Sequence, residues 1–177
     1  MVEEKKSAYK TILERCSVRS FLRDPIPEEH LNKILTAAQR APSAGNRQPW
    51  HFYVVRNEKI RRALSEAAHS QEFVAEAPLV IVVCSDPARS ALRYGERGRN
   101  LYCIQDTASA VTNILITVTE LGLGCCWVGA FDENMAAQVL SLPSHLRPVA
   151  ILPIGYPRDR GELTSRRPLE EVVTYLD

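Results

Sequence analysis

Residues 98–121, GRNLYCIQDTASAVTNILITVTEL, decide the fold. Leu101, Ile104, Ala108, Val111, Leu115 and Val118 recur at spacings of three, four, three, four and three, the period of one face of an α-helix. Ile114, Ile116 and Leu121 widen that stripe around much of the cylinder. A helix apolar over so much of its surface is buried on several sides, in a core or in a subunit interface. Gly122-Leu123-Gly124 stops it, and Cys125 to Val128 begins a strand.

Working outward, helix and strand patterns alternate. Upstream, Pro78 to Cys84 is apolar on both faces and belongs in the middle of a sheet. Asn57 caps a helix carrying Ile60 and Leu64, and Trp50 to Val55 reads as a strand. Pro27-Glu28-Glu29 opens an earlier helix, with Leu31, Ile34, Leu35 and Ala38 as its stripe. The first helix runs from about Glu4 to Glu14, pairing Ala8 with Ile12 and Tyr9 with Leu13. Downstream, Asp132 starts a short helix, Val149 to Ile154 is a strand, and a polar tail with a short apolar stretch follows. The pattern predicts one domain over residues 1–177, an α+β or α/β sandwich of helices around a central sheet.

Composition excludes several function classes. The chain has 177 residues, 45% hydrophobic and 24% charged, which suits a packed core rather than disorder. Lys+Arg at 22 against Asp+Glu at 21 leaves a net charge of +1, so no global field draws it to nucleic acid or an anionic membrane. MVEEKKSAYK lacks a signal-peptide core, and PLVIVVC and VAILPIG are too short to span a bilayer. The expectation is a soluble cytoplasmic protein. Five cysteines fit neither a disulfide framework nor a zinc site, and Cys125 and Cys126, as neighbours on a strand, point to opposite faces. The four histidines are scattered, and HExxH, GxSxG and GxxxxGK[ST] are missing. Gly122-Leu123-Gly124 and Gly95-Glu96-Arg97-Gly98 are fragments of a dinucleotide fingerprint that never completes.

What remains is a set of donors for an anionic, planar ligand. Arg15, Ser17 and Arg19 alternate after the first helix, and in extended backbone they face one side. Arginine forks suit phosphate. The same run also reads as a solvated basic strip beside a helix C-terminus. Ala41-Pro42-Ser43-Ala44-Gly45-Asn46-Arg47-Gln48-Pro49-Trp50 sets a hydroxyl and two side-chain amides in a stiff turn, either to grip a polar edge or simply to join helix to strand. Trp50 reads as core. Trp127-Val128-Gly129-Ala130 leaves a strand with two small residues, so a backbone N–H can face a ligand or merely turn. Arg166-Arg167-Pro168 adds late basic charge that can close on a phosphate or stay idle.

The combination RCSVR, PSAGNRQPWHF, GLGCCWVGAFD, PIGYP and SRRPLEEVV, in that order from about residue 12 to 174, resembles the FMN-dependent nitroreductase family. The resemblance implies a nitroreductase-like α+β sandwich with a mostly antiparallel central sheet flanked by helices, forming an intertwined homodimer with two flavins at its interface. By position, Arg15 and Ser17 then contact the FMN phosphate and ribityl chain, and Arg19 lies at the N1/O2 edge of the ring. Pro42, Ser43, Ala44 and Asn46 approach the same flavin from the partner subunit. Gly129, beside Val128, offers its N–H near N5, and Arg166 clasps the phosphate. Cys16 and Arg167 fall in the same blocks and count with the cofactor-binding residues. Three positions depart from the family pattern: Cys16 where a second basic residue is common, Ser70 for Asn and Thr164 for Lys. These changes remove donors and predict looser FMN binding.

The implied activity passes two electrons from NAD(P)H through flavin N5 to a small organic acceptor, such as a nitroaromatic or quinone, by a ping-pong route. The flavin carries the chemistry, so no side chain is assigned as catalytic and no metal is called for. The alternatives are reductive dehalogenation or flavin cleavage on the same fold, against which the short Ser90 to Arg99 stretch leaves little room for a lid, and a non-catalytic flavin-binding protein.

Overall fold

The computed structural model describes residues 7–176. Its order is α1 (Ala8–Glu14), α2 (Glu28–Gln39), β1 (Trp50–Val55), α3 (Glu58–Ala67), α4 (Phe73–Glu76), β2 (Leu79–Ser85), α5 (Pro87–Arg97), α6 (Cys103–Glu120), β3 (Gly124–Cys125), α7 (Glu133–Val139) and β4 (Arg147–Gly155). The strands form one sheet in the order β1-β2-β4-β3, antiparallel throughout. Trp50 stands opposite Ser85, and Leu79 opposite Ile154.

All seven residues of β2 are buried, as a strand without polar alternation requires. Leu79, Ile81 and Val83 join α2 and α6 through Ile34, Val111, Ile114 and Val118. Val80, Val82 and Cys84 point the other way, onto Leu64 of α3, Val74 of α4 and Ala136 of α7. The two-residue period therefore builds two cores from one strand, and the sheet lies between two helical layers. Cys125 belongs to the first core and Cys126 to the second, so the vicinal thiols do face opposite ways. No described helix is long and apolar enough to cross a membrane.

The caps follow the sequence. Asn57 Oδ1 accepts from Lys59 and Ile60, and Asp132 Oδ1 from Asn134 and Met135. At the end of α6, Gly122 adopts φ 72°, its N–H donates to Thr119 and that of Leu123 to Val118. That paired closure needs a left-handed residue, which glycine supplies without steric cost.

Three boundaries differ from expectation. The helix read from Gly98 opens with a π-helical turn, Gly98–Tyr102, and α-helical geometry begins at Cys103. Gly98 lies under α5, where an added Cβ would stand 2.5 Å from the Ser90 carbonyl oxygen. The strand read from Cys125 to Val128 shortens to Gly124–Cys125, and Val128 rejoins by an isolated bridge to Ile151. The first helix begins at Ala8, capped by Ser7 Oγ; the residues expected to precede it lie outside those described. Along the π-turn and α6 the stripe splits. Val111, Ile114, Leu115 and Val118 are buried, whereas Leu101, Ile104, Ala108 and Ile116 are only partly covered.

Candidate functional site

After α1 the chain runs extended, and Val18 N–H donates to the Cys125 carbonyl at 3.0 Å. Val18 turns inward onto Phe21 and Ala77. Alternation then sends its neighbours Ser17 and Arg19, with Arg15, to the other side. They line a cavity of about 350 Å³ together with Cys16, Gly161, Glu162, Thr164 and Arg166. Residues 147 positions apart in the chain thus share one hollow. Gly161 lets the C-terminal segment close on the strip, since a Cβ there would meet the Ser17 carbonyl oxygen at 2.7 Å. Arg166 Nη1 is held by the Thr164 carbonyl at 2.9 Å and the Thr164 hydroxyl at 2.7 Å.

Beneath the strip lies the Cys126 thiol. Burial pushes it up, while the Arg19 charge, Ser17 and Arg15 pull it back, which sets all three against one sulfur. Among the described residues no carboxylate forms an ion pair with Arg15, Arg19 or Arg166. Glu162 lines the same hollow but pairs with none of them, so three guanidiniums outnumber one carboxylate there and suit an anion such as a phosphate. The donor set fits the phosphate and ribityl end of FMN.

The Pro42–Pro49 turn is built around left-handed backbone at Gly45, Asn46 and Gln48, with φ of 55°, 53° and 50°. Gly45 has a second constraint: a Cβ would stand 2.5 Å from the Tyr94 hydroxyl. Ser43 Oγ accepts from Gln48 N–H, and Ala44 N–H donates to Asp106 Oδ1, both at 3.0 Å. Asp106 is 8% exposed, its Oδ2 has no partner among the described residues, and burial raises its carboxyl. Sequence reasoning missed this anchor. Its signal was an acid set in the apolar helix between Ile104 and Ala108.

The structure thus unites Arg15, Cys16, Ser17, Arg19 and Arg166 but leaves the turn elsewhere. Ala44 is tied to Asp106 near the start of α6, whereas the strip is tied to Cys125 past its end. Between Asp106 and Glu120 the helix rises about 21 Å at 1.5 Å per residue. Pro42, Ser43, Ala44 and Asn46 therefore stand at the opposite end of α6 from the strip of Arg15, Ser17 and Arg19. Val128 is buried in its bridge, while Gly129 is exposed and a Cβ there would meet only Trp127 Nε1, at 3.9 Å. Arg167 is turned away, its Nε 3.0 Å from Glu171 Oε2. Ser70 holds a left-handed φ of 58°. A larger cavity of about 600 Å³ runs along α2 and β1, where Leu35, Gln48, half-buried Trp50 and Phe52 line it.

The thiols differ sharply in accessibility. Burial pushes Cys84 up to about 12 and raises Cys103, Cys125 and Cys126, while Cys16 sits half-exposed at the cavity wall. Thiolates are the reactive species. Iodoacetamide at pH 8 therefore labels Cys16 well before the other four in the native protein, read by peptide mass spectrometry. Equal labelling of Cys126 would contradict the packing beneath the strip.

The chain is thus an antiparallel α+β sandwich with an arginine-lined hollow beyond the end of its long helix, a site suited to an anionic ligand. The model of the Nitroreductase family matches residues 12–74 and 68–156, and the chain belongs to that family. It is 38% identical over 157 residues to a putative NADH dehydrogenase/NAD(P)H nitroreductase of Archaeoglobus fulgidus, covering 86% of this chain and 87% of the relative. An iodotyrosine deiodinase of Haliscomenobacter hydrossis is 26% identical, with 90% and 83% covered. The NADPH:FMN oxidoreductase of Vibrio harveyi, solved in complex with NAD+, superposes with a TM-score of 0.87 at 25% identity, over 96% of this chain and 77% of that one.

Proposed function

We propose that this chain transfers two electrons from NAD(P)H to a small organic acceptor, a nitroaromatic or quinone, with donor and acceptor taking turns at one open face. It is an NAD(P)H-dependent oxidoreductase with FMN as its cofactor. The observation that carries the reading is the convergence of Arg15, Ser17, Arg19 and Arg166 on one hollow with no acid paired to the arginines. FMN, when bound, accepts the hydride of NAD(P)H and passes the electrons on. Arg15, Ser17 and Arg166 hold its phosphate end, and Arg19 presents positive charge to the N1/O2 edge, where negative charge develops on reduction. Gly129 offers an unencumbered N–H near N5. The reading places the protein in the cytoplasm, where NAD(P)H is supplied.

A second copy completes the site. The arginine strip and the Pro42–Asn46 turn lie at opposite ends of α6, so two copies packed along that helix in opposite directions bring each strip to the other's turn. The partly covered Leu101, Ile104, Ala108 and Ile116 supply an apolar seam for that packing. The C-terminal segment exposes Leu169, Val172, Tyr175 and Leu176, a suitable arm to wrap a partner.

FMN titration tests the cofactor site: the expected result is quenched flavin fluorescence and a raised Tm, and neither change would dismiss the reading. Light scattering tests the assembly. Twice the 19.8 kDa chain mass is expected, and a folded, flavin-loaded monomer would overturn the dimer. The deiodinase relative supports reductive dehalogenation as a second reading. Steady-state assays with NAD(P)H against iodotyrosine, a quinone and a nitroaromatic separate the two, and the expected preference is for the quinone or nitroaromatic.

A further inference from the structure

The segment after β2 gathers positive charge that the flavin hollow does not use. Arg89, Arg93 and Arg97 follow one another at four-residue spacing along α5, the period that keeps side chains on one helix face. Gly95, with φ 55° and ψ −139°, breaks the helix between the last two, and Tyr102 recaptures Arg97. Arg97 Nε donates to the Tyr102 hydroxyl at 2.9 Å, with the guanidinium 5.3 Å from that ring's centre. Arg93 lies 5.5 Å from the centre of Tyr94, whose ring meets Tyr102 edge-on at 5.2 Å. Arg47 joins from the Pro42–Pro49 turn: its Nε donates to the Arg89 carbonyl, and Arg89 Nε donates to the carbonyl of Arg47.

Four arginines therefore gather along α5 and the neighbouring turn, and among the described residues none forms an ion pair with a carboxylate. Of the nearby acids, Asp86 caps α5 and its Oδ1 accepts from the Arg89 backbone N–H at 3.1 Å, while Glu96 is taken up by Arg99 at 3.4 Å and Asn100 at 3.1 Å. On a chain with a net charge of +1, such a gathering is a local device rather than a by-product of composition. The patch also has a defined address. The Tyr94 hydroxyl and Arg93 side chain fill the space a Cβ on Gly45 would need. They back the turn that faces the flavin of a second copy.

We propose that this patch receives the phosphates of the incoming nicotinamide dinucleotide, with Arg93 and Arg97 as the phosphate ligands. Tyr94 and Tyr102 hold the two guanidiniums in place by stacking, and the Arg47–Arg89 clasp ties α5 to the turn. Guanidinium forks bind phosphate oxygens in pairs, so the geometry matches the ligand as well as the charge does. The inference rests on the flavin reading, which sets the patch at the mouth of the site. Two phosphate groups are available: the pyrophosphate shared by NADH and NADPH, and the 2′-phosphate of NADPH alone.

Calorimetric titration of the protein, with FMN added and without it, by ADP-ribose and by 2′-phospho-ADP-ribose tests the proposal. Arg93→Gln and Arg97→Gln are each expected to weaken binding by roughly 10-fold or more, as loss of a charged hydrogen bond does. Arg62→Gln on α3 serves as control and leaves binding unchanged. A loss confined to the 2′-phosphate probe assigns the patch to that group, and an equal loss for both probes assigns it to the pyrophosphate. Either outcome supports the patch as the phosphate site. Wild-type protein that binds neither probe, or variants with wild-type affinity, would overturn it. Thermal unfolding confirms that the variants fold, and rising salt must weaken wild-type binding in the same assay. The visible absorbance of bound flavin is read separately. A chain that takes up no FMN thus fails the cofactor reading, while probe binding still judges the patch.

Discussion

Arg19→Ala lowers the reduction potential of bound FMN and slows its reduction by NAD(P)H, whereas Arg15→Ala weakens FMN binding and leaves the potential of any bound flavin nearly unchanged. The two arginines share one strip and one cavity, yet in the proposed placement they meet different charges, Arg15 the phosphate and Arg19 the N1/O2 edge. A phosphate is anionic whatever the redox state, so Arg15 stabilises both forms alike. At the N1/O2 edge, negative charge appears only on reduction, so Arg19 favours the reduced form. A charged hydrogen bond of this kind is worth on the order of 1.5–3 kcal/mol, roughly 10- to 100-fold in the equilibrium. Redox potentiometry and stopped-flow reduction, with both variants saturated in FMN, supply the comparison. Equal potentials in the two variants would show that Arg19 does not reach the ring.

The second large effect comes from a residue with no functional group. Gly124→Ala destabilises the fold and loosens FMN, because a Cβ there would stand 2.7 Å from the Val18 Cβ and Cγ1. Val18 is 3% exposed and pinned by its N–H to the Cys125 carbonyl, so it has little freedom to retreat. Its displacement carries Ser17 and Arg19 with it. Overpacking of this sort costs about 1–3 kcal/mol, or a fall of about 2–12 °C in Tm for a domain of this size. Thermal unfolding and FMN titration on the same preparation report the two effects. An unchanged Tm with wild-type FMN affinity would mean that β3 and the strip are not packed as described.

How much of this was legible in the chain depends on range. The bounds of β1, Trp50 to Val55, the Asn57 and Asp132 caps and the apolar face of α6 all follow from neighbours a few residues apart. Side-chain period and cap chemistry act over one or two turns, and the residues alone state them. The alternation of Arg15, Ser17 and Arg19 is equally local, and it predicts three donors on one side of an extended strand before any fold is known. The contact that ties the strip to Cys125 spans more than a hundred residues, and local pattern has no means to choose it.

Tertiary structure alone decided the rest. It set Arg166 in the hollow and turned its neighbour Arg167 to Glu171, although the two look equivalent as a pair of basic residues. It paired Ala44 with Asp106 across 62 residues, which made a lone acid in an apolar helix into the anchor of a turn. It opened the long helix with a π-turn because Gly98 passes under Ser90, a demand of packing that helical periodicity does not contain. It also drew Arg47 to Arg89 from a separate turn. The physical reason is the same in each case. Local sequence sets which way a side chain points along its own element, while the partner it meets depends on how elements far apart in the chain exclude water together.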